Sequence, residues 1–222
     1  MSAKGTLVGL LGGAFLRRAQ VVGVEEVGGF SRVVLRGEVE RAEPGTKLQL
    51  LLPGDDMRTY TPIATSEGIV LLGWRHAPGP GGRWAASVKE GDELRFVGPQ
   101  RSLVLPEGRA IVVGDETSVA VAASFEAARA GRVTAVLEAS EVTDVRAAAA
   151  RVGLGSASVL ARGDTAGLVD AIVRAREEAP SAAIALTGGS ELILRLRAAL
   201  KERGLADVRT KTYWVPGRQG LD

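Results

Sequence analysis

One change of rhythm constrains this chain more than any other feature. Up to Pro106, short apolar runs follow one another with almost no helical pattern between them; beyond Pro106, apolar runs alternate with helical stretches. In the first part the runs are VVGVEEV, SRVVLRGEV, KLQLLLP, GIVLLGWRH and DELRFVGP, rich in Val, Leu and Ile. Gly28-Gly29, Pro44-Gly45, Pro53-Gly54 and Gly91-Asp92 punctuate them, as turns between strands do. The helical candidate here is brief, residues 82–88. This pattern predicts a small antiparallel β-barrel.

In the second part AIVVGD precedes an alanine-rich helix over 116–130, and VTAVLEA precedes a helix over 144–152. ASVLAR leads to a helix over 168–178, AAIALTGG to one over 191–203, and VRTKTYW ends the series. Strand and helix alternating through short loops predict an open parallel sheet. The expected fold is therefore β + α/β: an antiparallel barrel over residues 1–106, then a parallel-sheet nucleotide-binding domain over 107–222.

Composition narrows the chemistry. The 222 residues contain no cysteine and a single histidine, His76. Disulfides, thiolate metal sites and cysteine nucleophiles are excluded, as are sites built from several imidazoles. No metal site is expected, and an enzyme of this composition would rely on an organic cofactor. With 28 basic and 26 acidic residues the net charge is only +2, which gives no general field for nucleic acid. The apolar run of residues 7–16 is about half the ~20 residues that span a bilayer. Arg17 and Arg18 follow it instead of a cleavage site, so a packed segment in a cytoplasmic protein is expected.

Two strand-to-helix turns have the makings of a ligand site, because open parallel sheets bind ligands beyond the carboxyl ends of their strands. One is Gly114-Asp115-Glu116-Thr117-Ser118, the other Thr187-Gly188-Gly189-Ser190. Glycine admits a ligand to the backbone, and helix N-termini favour phosphate; equally, Thr117 or Ser190 could simply cap its helix. In the first half, Arg58-Thr59-Tyr60-Thr61-Pro62 stands ahead of His76-Ala77-Pro78-Gly79-Pro80-Gly81-Gly82-Arg83-Trp84. The second stretch is either a backbone nest for pyrophosphate or a long hairpin loop. Glu138, near the end of VTAVLEA, and Glu141, just beyond it, could accept a ribose 2′-hydroxyl and so favour NADH over NADPH, or could be solvated loop charges.

The order of these motifs resembles the siderophore-interacting protein family within the ferredoxin–NADP reductase superfamily. The resemblance spans nearly the whole chain. It is carried by Arg58-x-Tyr60-Thr61, Gly79-Pro80…Trp84-Ala85, Gly98-Pro99, Gly114-Asp115-Glu116-Thr117 and Tyr213-Trp214. It implies a flavoprotein that passes electrons from NADH, NADPH or ferredoxin through FAD to a ferric siderophore, without a membrane span and as a monomer. Arg58 would neutralise FAD phosphate, Tyr60 would lie along the flavin and Thr61 would hydrogen-bond its reactive edge, which makes Tyr60 and Thr61 the catalytic pair. Gly79, Pro80, Gly81, Gly82 and the helix carrying Trp84 would hold the pyrophosphate, with His76 at the start of that loop. Gly114, Asp115, Glu116 and Thr117 would face the nicotinamide, and Tyr213 or Trp214 would border the isoalloxazine as a ring that moves to admit it. Of the two aromatics, strand alternation allows one to stack and sends the other into the core.

The sequence departs from the family pattern at four places. Ile63 stands where a second arginine is usual, Gly82 where serine is usual, Thr187-Gly188-Gly189 in place of Ala-Gly-Glu, and Val215 in place of an arginine after the aromatic pair. These changes leave flavin binding intact and thin the positive surface that would attract an anionic ferric chelate. A flavoenzyme with another acceptor, and a nucleotide-binding redox module without turnover, are the competing readings.

Overall fold

The computed structural model describes residues 16–39 and 42–217. The apolar run of residues 7–16 lies outside them, apart from Leu16. In the first half the chain forms β1 (Arg17–Val27), β2 (Phe30–Gly37), β3 (Thr46–Leu52), β4 (Asp56–Tyr60), β5 (Ile63–Thr65), β6 (Gly68–Trp74), helix α1 (Pro80–Ser87) and β7 (Glu93–Arg101). These seven strands make one antiparallel sheet in the order β4-β3-β7-β1-β2-β6-β5. Strand β3 shows why it curls around a core: side chains alternate faces along a strand, and Leu48, Leu50 and Leu52 are buried while the residues between them are half-buried.

The sheet is barrel-like but does not close. Its two edges, β4 and β5, are consecutive in the chain and joined only by Thr61-Pro62. The expectation of a barrel is thus met with an open seam, and Thr61 sits in it. Both edge strands are absent from the sequence reading. The run DMRTY is half-buried at every position and so carries no alternation, and β5 is only three residues long.

The second half contains β8 (Ala110–Gly114), a 3-10 turn (Glu116–Ser118), α2 (Val119–Ala128), β9 (Val133–Ala139), α3 (Val142–Arg151), β10 (Ser158–Ala161), α4 (Thr165–Glu178), β11 (Ala183–Gly189), α5 (Ser190–Glu202) and β12 (Val208–Trp214). The sheet is parallel with strand order β10-β9-β8-β11-β12. The order reverses between β8 and β11, which makes a crevice beyond their carboxyl ends. The expected helix over 116–130 is shorter than its alanine content suggests. It opens with the 3-10 turn and ends at Ala128, where the Glu126 carboxylate accepts the Gly131 and Val133 N–H groups.

Helix α2 joins the halves. Every residue from Val119 to Phe125 is buried, the mark of a helix with protein on all sides. One apolar cluster contains Phe30, Ile63 and Leu72 of the first sheet, Val119 and Ala122 of α2, and Val112 and Leu137 of the second sheet. An ion pair at 2.9 Å between Arg151 of α3 and Glu25 of β1 adds to this contact.

Candidate functional site

Between the two sheets lies a cleft of about 660 Å³. Strand β4 and the seam supply Arg58, Tyr60 and Thr61 to its wall, and the loop into α1 supplies His76, Gly79, Pro80 and Gly81. The 3-10 turn after β8 supplies Glu116 and Thr117, and the end of β12 supplies Tyr213 and Trp214. Most of the residues singled out in the sequence therefore meet in one place, although they come from both ends of the chain.

Helix α1 is held against the first sheet by a 2.6 Å bond from the Ser31 hydroxyl to the Ala85 carbonyl. Its start is bare: Gly79 has φ of 89°, no side chain caps the helix, Pro80 stands in its first turn, and no acidic residue lies there. A side chain at Gly79 would meet nothing within 4 Å, so this backbone is open to whatever fills the cleft. Gly82 lies behind the lining. Its Cα packs on the Ala77 carbonyl so closely that no Cβ fits, which accounts for glycine where serine is usual. Trp84 is also behind the lining, buried, with its ring edge-on to Tyr60 at 4.9 Å.

Tyr60 is positioned from both ends. Trp84 supports its ring, and its hydroxyl donates to the Gly81 carbonyl at 3.3 Å. The ring is half-buried but the hydroxyl end is enclosed, and burial pushes the phenol far above its ordinary range, with the Arg58 charge pulling it back. Arg58 donates to the Met57 carbonyl at 2.7 Å and lies 3.4 Å from the Asp56 carboxylate. Burial likewise raises the Tyr213 phenol, offset by the Ser102 and Thr61 hydroxyls. His76 is exposed, edge-on to Trp74 at 5.0 Å.

The two strand-to-helix turns are arranged differently from a phosphate loop. Gly114 is buried at the end of β8, and Asp115 is fully buried. The Asp115 carboxylate accepts hydrogen bonds from the Thr117 and Gly189 backbone N–H groups at 2.9 and 2.7 Å, and from the Trp214 indole Nε1–H at 2.8 Å. An internal anion thus occupies donors from both turns, and neither Gly114 nor Asp115 faces the cleft. Both aromatics of the last strand do. The pairing of β12 with β11 passes from Gly188–Thr212 to Gly189–Trp214, so Tyr213 is an extra residue and strict alternation is lost. Of the two, Tyr213 also packs on the apolar cluster shared by the sheets while Trp214 stays exposed, so the expected division between core and cleft holds except that Tyr213 reaches both.

Glu138 does not reach the cleft. It is buried, accepts the Gly163 N–H, and binds Arg195 through both oxygens at 2.8 Å. It is therefore unavailable to a ribose, contrary to the reading of that carboxylate from sequence. Residues that the sequence reading missed set the charge of the cleft instead. Lys47, Arg162 and Lys211 join Arg58 in its lining, against one carboxylate, Glu116, which Arg162 already pairs at 2.7 Å. Ser140 accepts from Arg162 Nε at 2.8 Å on the same wall. Arg58 and the bare start of α1 suit a ligand carrying phosphate, and the aromatic walls suit a planar ring.

Among solved structures, a siderophore utilization protein from T. fusca is 24% identical with a TM-score of 0.66, over 93% of this chain and 95% of that one. The siderophore-interacting protein SipS from Aeromonas hydrophila is 22% identical with a TM-score of 0.66, over 90% of this chain and 98% of that one. The fold is that of the siderophore-interacting proteins. It extends to reductases: the cytochrome P450 reductase GcoB from Amycolatopsis is 20% identical with a TM-score of 0.62, over 91% of this chain and 71% of that one. No family model and no curated protein matches the chain. Among the described residues no helix is long and apolar enough to cross a membrane.

Proposed function

We propose that the chain is an FAD-dependent oxidoreductase that passes electrons from NADH, NADPH or ferredoxin to a ferric siderophore. The observation that carries this reading is the cleft itself: four cations, two aromatic residues from the last strand and an uncapped helix start converge between a barrel-like sheet and the switch point of a parallel sheet. In this proposal residues 1–106 hold FAD and residues 107–222 receive the nicotinamide nucleotide.

FAD held there would supply the exchange between a two-electron donor, a nicotinamide hydride, and one-electron acceptors, two Fe(III) ions for each hydride with one proton released. The protein's part is binding and orientation. Arg58 and the Gly81 N–H at the start of α1 offer positive charge to a pyrophosphate. Tyr60, fixed by Gly81 and Trp84, gives a flat wall and keeps its phenolic proton. Thr61, buried in the open seam, sets its hydroxyl beside the Tyr213 phenol, and the two make one polar edge of the cleft wall. Iron would stay inside its chelate, so no protein ligand to the metal is required. Lys211 gives the cleft attraction for an anionic chelate.

A second reading, the same flavoenzyme with a non-iron acceptor, is favoured by two residues. Ile63 is core and Val215 lines the cleft, both where an arginine would add charge. An absorbance spectrum of the purified protein, before and after anaerobic NADH, tests the flavoenzyme reading. Yellow protein that bleaches is expected; protein that is colourless and fails to bind added FAD at micromolar concentration sinks it. Rates with ferric siderophores against quinones and ferredoxin then separate the two acceptor classes, and bound FAD without turnover would leave a redox module.

A further inference from the structure

Asp115 is buried to the last atom, and among the described residues no cation stands within ion-pair distance of it. Hydrogen-bond donors compensate it instead. Oδ1 accepts from the Thr117 N–H at 2.9 Å and the Thr117 hydroxyl at 2.5 Å; Oδ2 accepts from the Gly189 N–H at 2.7 Å and the Trp214 Nε1–H at 2.8 Å. The four donors come from three places: its own turn, the end of β11 and the end of β12. Burial pushes the Asp115 carboxyl above its ordinary range, and the bonds from Thr117, Gly189 and Trp214 pull it back toward the charged form.

Two glycines shape the space around this carboxylate. Gly188 has φ of 100°, and a Cβ on it would stand 2.5–2.7 Å from the Asp115 carboxyl atoms. A Cβ on Gly189 would stand 2.5 Å from Cζ2 of the Trp214 indole. One glycine makes the notch for the carboxylate and the next makes the notch for the ring. Trp214 remains 37% exposed and lines the cleft, so its ring is wedged along one edge and free along the other.

We infer that Asp115 is a positioning residue that fixes Trp214 as a stationary wall of the cleft, seated on Gly189, and that Trp214 is not a swinging gate. Moving the ring would strip a donor from a buried carboxylate that cannot be solvated in exchange. A nicotinamide or other planar reactant must therefore enter beside a fixed indole. The functional consequence rests on the reading that the cleft holds FAD; the fixation itself does not.

The test uses 15N-labelled protein, in which the indole N–H groups of Trp74, Trp84 and Trp214 are assigned by single Trp→Phe variants. The Trp214 indole proton is expected to be shielded from solvent exchange in protein with and without FAD. Asp115→Ala is expected to speed its exchange by about tenfold to a hundredfold, the range for losing a hydrogen bond to a charged group. Gly189→Ala is expected to do the same with the carboxylate still present, which keeps the test decisive if Asp115→Ala does not fold. In the FAD-loaded protein, Asp115→Ala and Trp214→Phe are expected to change the limiting rate of flavin reduction by the same factor, and the double variant by no more than either. Exchange that is equally fast in the parent and both variants, or rate effects that multiply in the double variant, would overturn the inference. A protein that shows the exchange pattern but binds no FAD would overturn the proposed function and leave the fixation of Trp214 standing.

Discussion

Both carboxylate oxygens of Glu138 lie 2.8 Å from the same Arg195 nitrogen, so the acid that ends β9 is turned toward α5 and away from the cleft. The Gly163 N–H completes its coordination. Glu138→Gln should therefore lower stability by about 1–3 kcal/mol, less than for a fully enclosed pair because Arg195 is partly exposed. The ratio of kcat/KM for NADH to that for NADPH should stay within about twofold of the parent value. Urea unfolding and steady-state kinetics check the two halves of this statement, and a changed nucleotide preference would return Glu138 to the cleft.

Arg58 lies between Asp56 and the open cleft. Arg58→Ala would remove a cation next to the bare start of α1 and leave the Asp56 carboxylate facing any phosphate there. FAD binding should weaken by about 2–4 kcal/mol, read by titration of FAD-free protein. Unchanged affinity would make Arg58 an ordinary partner of Asp56.

Tyr60 predicts a response to alkali. Its phenol titrates far higher in the folded chain than the unfolded value of about 10, because burial disfavours the phenolate. Below pH 10 both states hold the proton and the full contribution to stability is present. Above pH 10 the unfolded chain loses the proton first, so stability falls as pH rises. Tyr60→Phe should flatten part of the loss between pH 10 and 11.5 in urea-unfolding experiments, while costing little at pH 7. An unchanged alkaline slope would contradict an enclosed hydroxyl.

Gly188→Ala should destabilise by about 1–3 kcal/mol through its backbone conformation alone, and by more because of the carboxylate beside it. Gly204→Ala is the comparison: φ is 77° there, but nothing lies within 4 Å of an added Cβ. Thermal unfolding of both variants should show the larger loss at position 188. Equal losses would mean that the Asp115 seat yields easily.

The sequence conveyed the architecture well because its two periodicities are local. Leu48, Leu50 and Leu52 announce a strand without reference to anything distant, and so does the run Ala110–Gly114 before its helix. The cleft was legible as an order of motifs: Arg58, Tyr60, Thr61, Gly79 and Trp214 do converge. What stayed hidden was the pairing of charges across the fold. The resemblance alone places Asp115 at the nicotinamide, and its donors at Gly189 and Trp214 are 74 and 99 positions away. Glu138 was misread for the same reason, with Arg195 57 positions distant. Lys47 and Lys211 have no part in the sequence reading, because only the fold brings their positions on β3 and β12 to the cleft wall. The one signal that could have found them is their sign: lysines on strands that border a crevice between two sheets.

The apolar cluster shared by both sheets has a mechanical meaning. Lobes that meet through polar surfaces part and close around their ligands; here Phe30, Ile63 and Leu72 are interleaved with Val112, Val119 and Leu137, and parting them would put a hydrophobic core into water. Widening the cleft by drawing the two sheets apart would therefore cost the burial of this cluster, about 25 cal/mol for each Å² of apolar surface exposed. A chain severed near residue 106 would expose this shared cluster on both parts, although each keeps a core of its own, around Leu48 and Phe96 in the first and around Ile111 and Leu168 in the second.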